Sequence, residues 1–326
     1  MVDTGEHVGG YMSVCRVSLI CTLKNEVSSI DGFLDSIVSQ SKVPDELIIV
    51  DGGSTDGTTD VIESYIRNQT AFPIKLFVCK GVNIAQGRNI AIKYADFDII
   101  ASTDLGCVLD KDWLKNLIRP FEENSEIDVV SGWYEPDART TFEKIAADVI
   151  FPKLDTVIKN QQELLPSSRS VAYKKTCWES VGGYPEWLYT AEDTLYDINL
   201  KKAGCRFAFA PDAVVYWRVR PNLKSVFKQY YLYAKGDGQA GTNTRHYAIL
   251  LAGVSIAAVL FVSSFYYNIF WIGLLMMLCS YCAFPFWRKS FNFREAPLSK
   301  LVIRSVTEIS GLIGFFMGRA TRARRM

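Results

Sequence analysis

Residues 48–58 read IIVDGGSTDGT: an apolar, β-branched run that ends on Asp51 and turns through Gly52-Gly53-Ser54-Thr55-Asp56-Gly57 into Thr58. Three β-branched residues followed by a carboxylate and a glycine-rich turn describe a buried strand that hands over to a helix. In an open α/β sheet ligands bind outside the carboxyl ends of the strands, so Asp51 sits where a crevice is expected. A carboxylate there can accept hydrogen bonds from a nucleobase imide or a ribose hydroxyl. The same residues also suit a tight turn, with Ser54 or Asp56 as a helix cap.

Working outward, Val17–Thr22, Glu46–Val50, Ile74–Val78, Asp98–Ser102 and Asp128–Gly132 are short apolar runs. Helical patterns lie between them at Val27–Ser39, Thr58–Asn68, Ile84–Tyr94 and Trp113–Phe121. Strand and helix alternating at this spacing imply βαβ units and a mostly parallel sheet flanked by helices. Strands apolar on both faces fit a sheet covered on both sides.

The 326 residues carry 36 Lys and Arg against 35 Asp and Glu. The balance is uneven: residues 288–326 hold nine basic groups and two acidic ones, and the other 287 hold 27 and 33. A globally basic nucleic-acid binder is excluded; a basic tail beside an apolar stretch fits a membrane surface. The eight cysteines show no metal-ligand spacing outside an apolar segment and read as free thiols of a reducing compartment. Residues 1–13 are polar and glycine-containing, read as a flexible N-terminus without a signal peptide.

From Tyr247 the composition changes. Tyr247–Phe265 and Ile269–Trp287 are each 19 residues without a charge, about the length that crosses a bilayer. The tight connection at Tyr266-Tyr267-Asn268 makes them a transmembrane hairpin. Arg245 before it, and Arg288, Lys289 and the later arginines after it, place both ends in the cytoplasm. Pro297–Gly318 is apolar but interrupted by Lys300, Arg304 and Glu308, and is expected to lie in the interface as an amphipathic helix. The expected layout is 14–245 catalytic domain, 246–288 membrane hairpin and 289–326 basic interfacial helix and tail.

Five segments resemble glycosyltransferase family 2, which has the GT-A fold, a Rossmann-like mostly parallel sheet. Ile48–Thr58 resembles its V-D-D-G-S-T-D-G-T signature. Ser18–Glu26 (SLICTLKNE) resembles its first strand and loop, and Gly81–Ile92 (GVNIAQGRNIAI) its N-x-G-x-A-x-A-R-N helix. Ser102–Leu114 (STDLGCVLDKDWL) resembles its D-x-D segment, and Gly182–Leu200 (GGYPEWLYTAEDTLYDINL) its G-G-F…E-D-x-x-L segment. The likeness covers roughly residues 14–240.

The resemblance implies an inverting transfer from a nucleotide-diphosphate sugar, UDP- or GDP-linked, to a lipid-linked or glycan acceptor. It implies that Thr22, Glu26, Asp51 and Arg88 line the nucleoside pocket. It implies that Asp104 holds a divalent cation, Mn2+ or Mg2+, on the diphosphate, although Asp104-Leu105-Gly106 lacks the second acid. Asp193 is implied as catalytic base, with Glu192 beside it. A base there would take the proton of the acceptor hydroxyl as it attacks the anomeric carbon. Asp197 and Lys201 suit an i,i+4 pair.

Arg169 in PSSRSVAY (166–173) and Lys235 in the stretch 229–238 are candidate diphosphate contacts. Processive synthases of the family carry Q-x-x-R-W near here; this chain has Gln229 and Tyr233 without that Arg or Trp, so single addition is expected. Two other functions stay open: a polyprenyl-phosphate sugar synthase, and an inactive sugar-nucleotide-binding scaffold for which the missing acid at 106 speaks. Membrane lipids are expected partners, and self-association into a homo-oligomer is compatible with the sequence.

Overall fold

The computed structural model describes residues 15–68, 71–287 and 295–323. The flexible N-terminus expected at 1–13, and the basic residues Arg288, Lys289, Arg294, Arg324 and Arg325, lie outside them.

The first half alternates as expected: β1 Val17–Leu23, α1 Ile30–Val38, β2 Glu46–Asp51, α2 Thr58–Asn68, β3 Ile74–Val78, α3 Ile84–Lys93, β4 Ile99–Ser102. β5 Cys107–Leu109, α4 Trp113–Glu123, β6 Val129–Asp137, α5 Thr141–Ile150 and α6 Leu154–Lys159 follow. Then come β7 Val171–Lys174, α7 Lys175–Ser180, α8 Glu192–Lys202, β8 Phe207–Arg218 and α9 Leu223–Ala240. The C-terminal helices are α10 Thr244–Ser264, α11 Ile269–Trp287 and α12 Pro297–Ala323.

One sheet of eight strands runs in the order β3-β2-β1-β4-β7-β6-β8-β5. β1 to β4 are parallel, as the βαβ pattern predicts; β7 is antiparallel to both β4 and β6, and β5 to β8. The mixed half carries non-local pairings that local periodicity does not encode. Its short β7 begins inside the stretch that also reads as a surface loop.

Each face of the sheet has its own core. One buries Leu19, Ile49 and Leu47 against Phe33, Leu34 and Ile37 of α1, and Trp113, Leu114, Leu117 and Ile118 of α4. The other buries Ile20, Ile48 and Val50 against Ala85, Ala91 and Ile92 of α3, and Tyr196 and Leu200 of α8. Each fully buried large side chain contributes about 1.5–3 kcal/mol. Both cores leave the carboxyl ends of β1, β2 and β4 open on the same edge.

α10 and α11 occupy the expected uncharged runs, with the ring centroids of Phe261 and Trp271 6.1 Å apart. Large apolar side chains around α10, among them Ile249, Val254, Ile256 and Val259, are exposed. Among the described residues two helices are long and apolar enough to cross a membrane, Thr244–Ser264 and Pro297–Arg322, and Ile269–Tyr281 within α11 is a shorter apolar stretch. The charges that single out Pro297–Gly318 as interfacial are met within the protein: Lys300 Nζ lies 2.7 Å from Asp148 of α5, and Arg304 Nε 2.9 Å from Glu308.

α12 lies along α9 at backbone contact. A Cβ on Gly314 would come within 2.2 Å of the Tyr231 carbonyl oxygen, and one on Gly318 within 2.1 Å of that of Lys235. Gly238 of α9 faces Phe315 and Gly318 in the same way. Such spacing needs glycine on both helices, as in small-residue helix pairs.

Candidate active site

The stretch that decides the fold organises its own turn. Asp51 is fully buried, and its Oδ1 accepts from the backbone N–H groups of Gly53 (2.9 Å) and Ser54 (2.8 Å) and from Ser54 Oγ (2.8 Å). Oδ2 accepts from Thr59 Oγ1 at 2.6 Å. Asp56 starts α2 by accepting from Thr58 N and Oγ1, and ties the β1–α1 loop through Val27 N. Asp51 therefore shapes the crevice, and Gly52 lines it in its place.

That crevice, of about 540 Å³, lies at the strand ends between β1, β2 and the start of α3. Thr22, Lys24, Glu26, Gly52, Asp104, Arg169 and Arg220 are among its lining residues. Asn83 caps α3 in a reciprocal box with Gln86, directing the helix start at the crevice. Thr22 Oγ1, Ser102 Oγ and Thr103 Oγ1 are buried without a hydrogen-bond partner among the described residues. Orphan hydroxyls are uncommon in native cores, and these three sit on the adjoining ends of β1 and β4.

A second crevice of about 570 Å³ adjoins the first, and both are lined by Ile84, Asp104, Arg169 and Tyr189. It contains Arg88, Glu192 and Asp193, and continues past Trp133, Tyr233 and Asp237 to Asn243, the residue before α10.

Arg88 ties the two together. This side chain of α3 is 2% exposed; its Nη2 donates to Asp104 Oδ1 at 2.6 Å and its Nη1 to Glu192 Oε1 at 2.7 Å. Burial alone would lower its pKa, but Asp104 and Glu192 more than offset that and hold it charged. One guanidinium cannot neutralise Asp104, Glu192 and Asp193 together. The burial of Glu192 raises its pKa to about 7, the neighbouring Asp193 charge adds to the rise, and Arg88 opposes it. Asp193 is half-buried, and its Oδ1 accepts from Thr194 N at 2.8 Å.

Arg169 lies at the junction. Its guanidinium stacks 3.8 Å from the Trp217 ring centre and donates to Ser167 Oγ (2.7 Å) and to Tyr233 OH (3.0 Å). Gln229 Nε2 donates to the same hydroxyl at 3.0 Å.

The structure brings Thr22, Glu26, Asp104 and Arg169 to the first crevice, and Arg88, Asp104, Arg169, Glu192 and Asp193 to the second. Two expected contacts stand apart. Asp51 is spent on its turn. Lys235 lies mid-helix in α9 and lines neither crevice, with its carbonyl oxygen facing Gly318 of α12. Asp197 and Lys201 form no pair: Asp197 is buried, and Lys201 donates to Gln162 O at 2.9 Å.

The departure at Gly106 has a backbone reason. Its φ is +94°, in the left-handed region that glycine enters at little cost, where the chain turns from Asp104 into β5. Among the described residues no cluster of three or more His, Cys, Asp or Glu side chains could hold a metal ion. Asp104 lines both crevices with its Oδ1 bonded to Arg88, and a lone carboxylate fits a cation that arrives already bound to a diphosphate. Sequence reasoning missed Lys24, Arg220, Tyr189, Trp217 and Asp237. Lys24 follows the first strand and was within reach of the crevice argument; the others carry no local signal.

Two adjoining crevices thus meet over carboxylates at the carboxyl ends of a mostly parallel GT-A sheet, with room for two substrates side by side. The chain belongs to glycosyltransferase family 2: the model for glycosyl transferase family 2 matches residues 18–176, and that for glycosyl transferase family group 2 matches 104–287. The chain is thus a glycosyltransferase.

The O-antigen chain rhamnosyltransferase RfbN of Salmonella typhimurium is 28% identical over 226 residues, 66% of this chain and 70% of that protein. The poly-beta-1,6-N-acetyl-D-glucosamine synthase of Staphylococcus epidermidis is 22% identical over 231 residues, 69% of this chain. The match spans 55% of that synthase. In fold, the mannosyltransferase PcManGT from Pyrobaculum calidifontis, solved with GDP-Man and Mn2+, superposes with a TM-score of 0.62 at 17% identity. That superposition covers 92% of this chain and 88% of the other.

Proposed function

We propose that the protein is a membrane-anchored, inverting glycosyltransferase that adds one sugar from a nucleotide-diphosphate sugar to a lipid-linked acceptor. The observation that carries this reading is the meeting of two crevices at Asp104 and Arg169, with Asp193 on one side. The first crevice takes the nucleotide: Thr22 and Glu26 flank the nucleoside, the Asp51 turn presents Gly52, and Lys24, Arg169 and Arg220 face the diphosphate. The second takes the acceptor. Asp193 removes its hydroxyl proton as the oxygen attacks the anomeric carbon, and Glu192 and Arg88 hold the α8 start in place. The rhamnosyltransferase likeness supports a glycan-building role for the same arrangement.

Asp104 would hold Mn2+ or Mg2+ as its one carboxylate ligand, together with donor oxygens and water. The ion would supply charge stabilisation at the departing diphosphate. The mannosyltransferase neighbour solved with Mn2+ supports a metal of this kind.

The second crevice ends at Asn243, where α10 begins, so an acceptor reaching Asp193 from a bilayer has a short path. α10 and α11 form the anchoring hairpin with the catalytic domain on the cytoplasmic side. Cysteines introduced at Tyr267 should be labelled from outside intact cells; labelling only after permeabilisation would overturn this topology.

A panel of UDP-, GDP- and TDP-sugars, each with and without manganese, tests the donor reading on the solubilised protein. One donor should raise the melting temperature, more so with manganese, since a ligand bound only by the folded state stabilises it. No shift with any member would refute it.

A further inference from the structure

The loop before α8 carries an aromatic side chain that packing does not explain. Tyr189 is 70% exposed and lines both crevices at their junction. Neither its ring nor its hydroxyl has a partner among the described residues.

The exposure does not come from a loose loop, because residues 184–191 are clamped at both ends. At the start, Asn89 Nδ2 donates to Tyr184 O (2.9 Å) and Asn89 Oδ1 accepts from Tyr184 N (2.8 Å). In the middle, Asn83 Nδ2 donates to Glu186 O at 2.7 Å and Leu188 is fully buried. At the end, Thr190 Oγ1 donates to Leu232 O of α9 at 2.6 Å. Gly236 permits that approach, because a Cβ there would fall 2.2 Å from Thr190 O. Ala191 then takes φ +60°, a left-handed conformation costly for a residue with a Cβ, and turns the chain into Glu192 and Asp193. The strap thus holds Leu188 inward and Tyr189 outward, three residues before Glu192 and four before Asp193, the proposed base.

A fixed, unpartnered aromatic ring at the mouth of a sugar-transfer site is a surface for the C–H face of a pyranose, the one apolar face a hydroxyl-rich ligand has. We infer that Tyr189 is the stacking platform for the acceptor sugar, the ring whose hydroxyl meets Asp193. This rests on the transferase reading above and adds a selection rule to it. The acceptor unit presents one ring face free of axial hydroxyls to Tyr189, while its nucleophilic hydroxyl points across the crevice.

The test uses full-length protein in nanodiscs, loaded with the nucleoside diphosphate that stabilises it best. The probes are the methyl pyranosides of glucose, galactose, mannose and N-acetylglucosamine, titrated by saturation-transfer NMR. Wild type should bind at least one, with saturation strongest on protons of one ring face. Tyr189→Ala should weaken that binding about three- to tenfold, the range of aromatic stacking. Tyr189→Phe should stay within about twofold, and Tyr189→Ala should change nucleoside diphosphate affinity less than it changes glycoside affinity.

Equal binding by wild type and Tyr189→Ala overturns the inference. So does a Tyr189→Phe loss as large as that of Tyr189→Ala, which would assign the effect to the hydroxyl. No glycoside binding by wild type overturns it as well. A wild type that binds no nucleoside diphosphate would instead be the failure of the transferase reading.

Discussion

The two crevices are built in opposite ways. The first is built mainly from β1 to β4, each giving a strand end, its turn and the start of the next helix, with Arg169, Tyr189, Trp217 and Arg220 closing it from later in the chain. The second draws Arg88 from α3, Trp133 from β6, Glu192 and Asp193 from α8, Tyr233 and Asp237 from α9, and Asn243 from the start of α10. The nucleotide half is thus a local device stabilised by its own turns. The second crevice, the proposed acceptor half, exists only once the mixed sheet, α9 and the start of α10 have packed. Substitutions in the two halves should therefore fail differently, in chemistry or nucleotide affinity for local residues and in geometry for distant ones.

The sharpest way to break that contrast is at the base. Asp193→Asn keeps the side-chain shape but removes the proton acceptor, so transfer should fall by about 10²–10⁴. Nucleotide binding, which belongs to the other crevice, should hold. Single-turnover kinetics with calorimetry of nucleoside diphosphate binding separates the two; turnover within tenfold of wild type would unseat Asp193.

Arg88 comes next, because it belongs to both halves. Arg88→Ala leaves Asp104 and Glu192 facing each other without their shared cation. Removing one partner of a buried pair costs about 3–5 kcal/mol, and here two carboxylates lose theirs. The variant should melt well below wild type and recover part of the loss at low pH, where the carboxyls take protons. A melting temperature equal to wild type would show that the pairing is not what holds the crevices together.

The third probe is remote. Gly318→Leu inserts a side chain where α12 meets the Lys235 carbonyl, and overpacking of this kind costs about 1–3 kcal/mol. The displaced helix is α9, which carries Tyr233 and Asp237 into the acceptor crevice. Asp237 also accepts from Thr242 Oγ1 (2.6 Å) and from Tyr247 OH (3.1 Å), fixing α10 to α9. Acceptor KM should rise with donor KM unchanged. Equal changes in both would mean the helix pair supports the whole domain.

This contrast also sets what could be read from the chain alone. The four parallel strands, their helices and the crevice at their ends follow from period and turn chemistry. Asp104 follows in the same way from its place at a strand end, whereas Thr22 and Glu26 come from the family resemblance. Asp51 was placed correctly in the fold, but its own turn consumes its carboxylate, a competition that composition cannot resolve. The resemblance puts Arg88 in the nucleoside pocket; it lies in the second crevice as a buried bridge, which the sequence does not show because its partners lie 16 and 104 residues away. Lys235 lies mid-helix and not in a loop, because Gly236 and Gly238 are close-packing points of α9, the first against Thr190 and the second against α12. Tyr189, Trp217 and Asp237 carry no local mark, because tertiary packing alone brings them to the crevices.

The finest separation of the halves is by pH. Glu192 belongs to the acceptor crevice, and its pKa of about 7 lies above the ordinary glutamate value because it is buried beside Asp193. Its folded pKa is raised, so between about pH 4.5 and 7 the folded state binds more protons than the unfolded one. Stability should therefore fall as pH rises through that window, by up to about 3 kcal/mol, and level off above it. Activity should run the other way. Only ionised Glu192 pairs fully with Arg88 and fixes the α8 start, so transfer should lose rate as pH drops through 7. In Glu192→Gln the amide keeps a hydrogen bond to Arg88 but does not titrate. Its pH–rate profile should lose the limb near 7, and its stability should no longer decline across the window, while nucleotide affinity stays flat with pH in both proteins. A limb at pH 7 that survives Glu192→Gln would belong to another group, and the carboxylate competition around Arg88 would have to be redrawn.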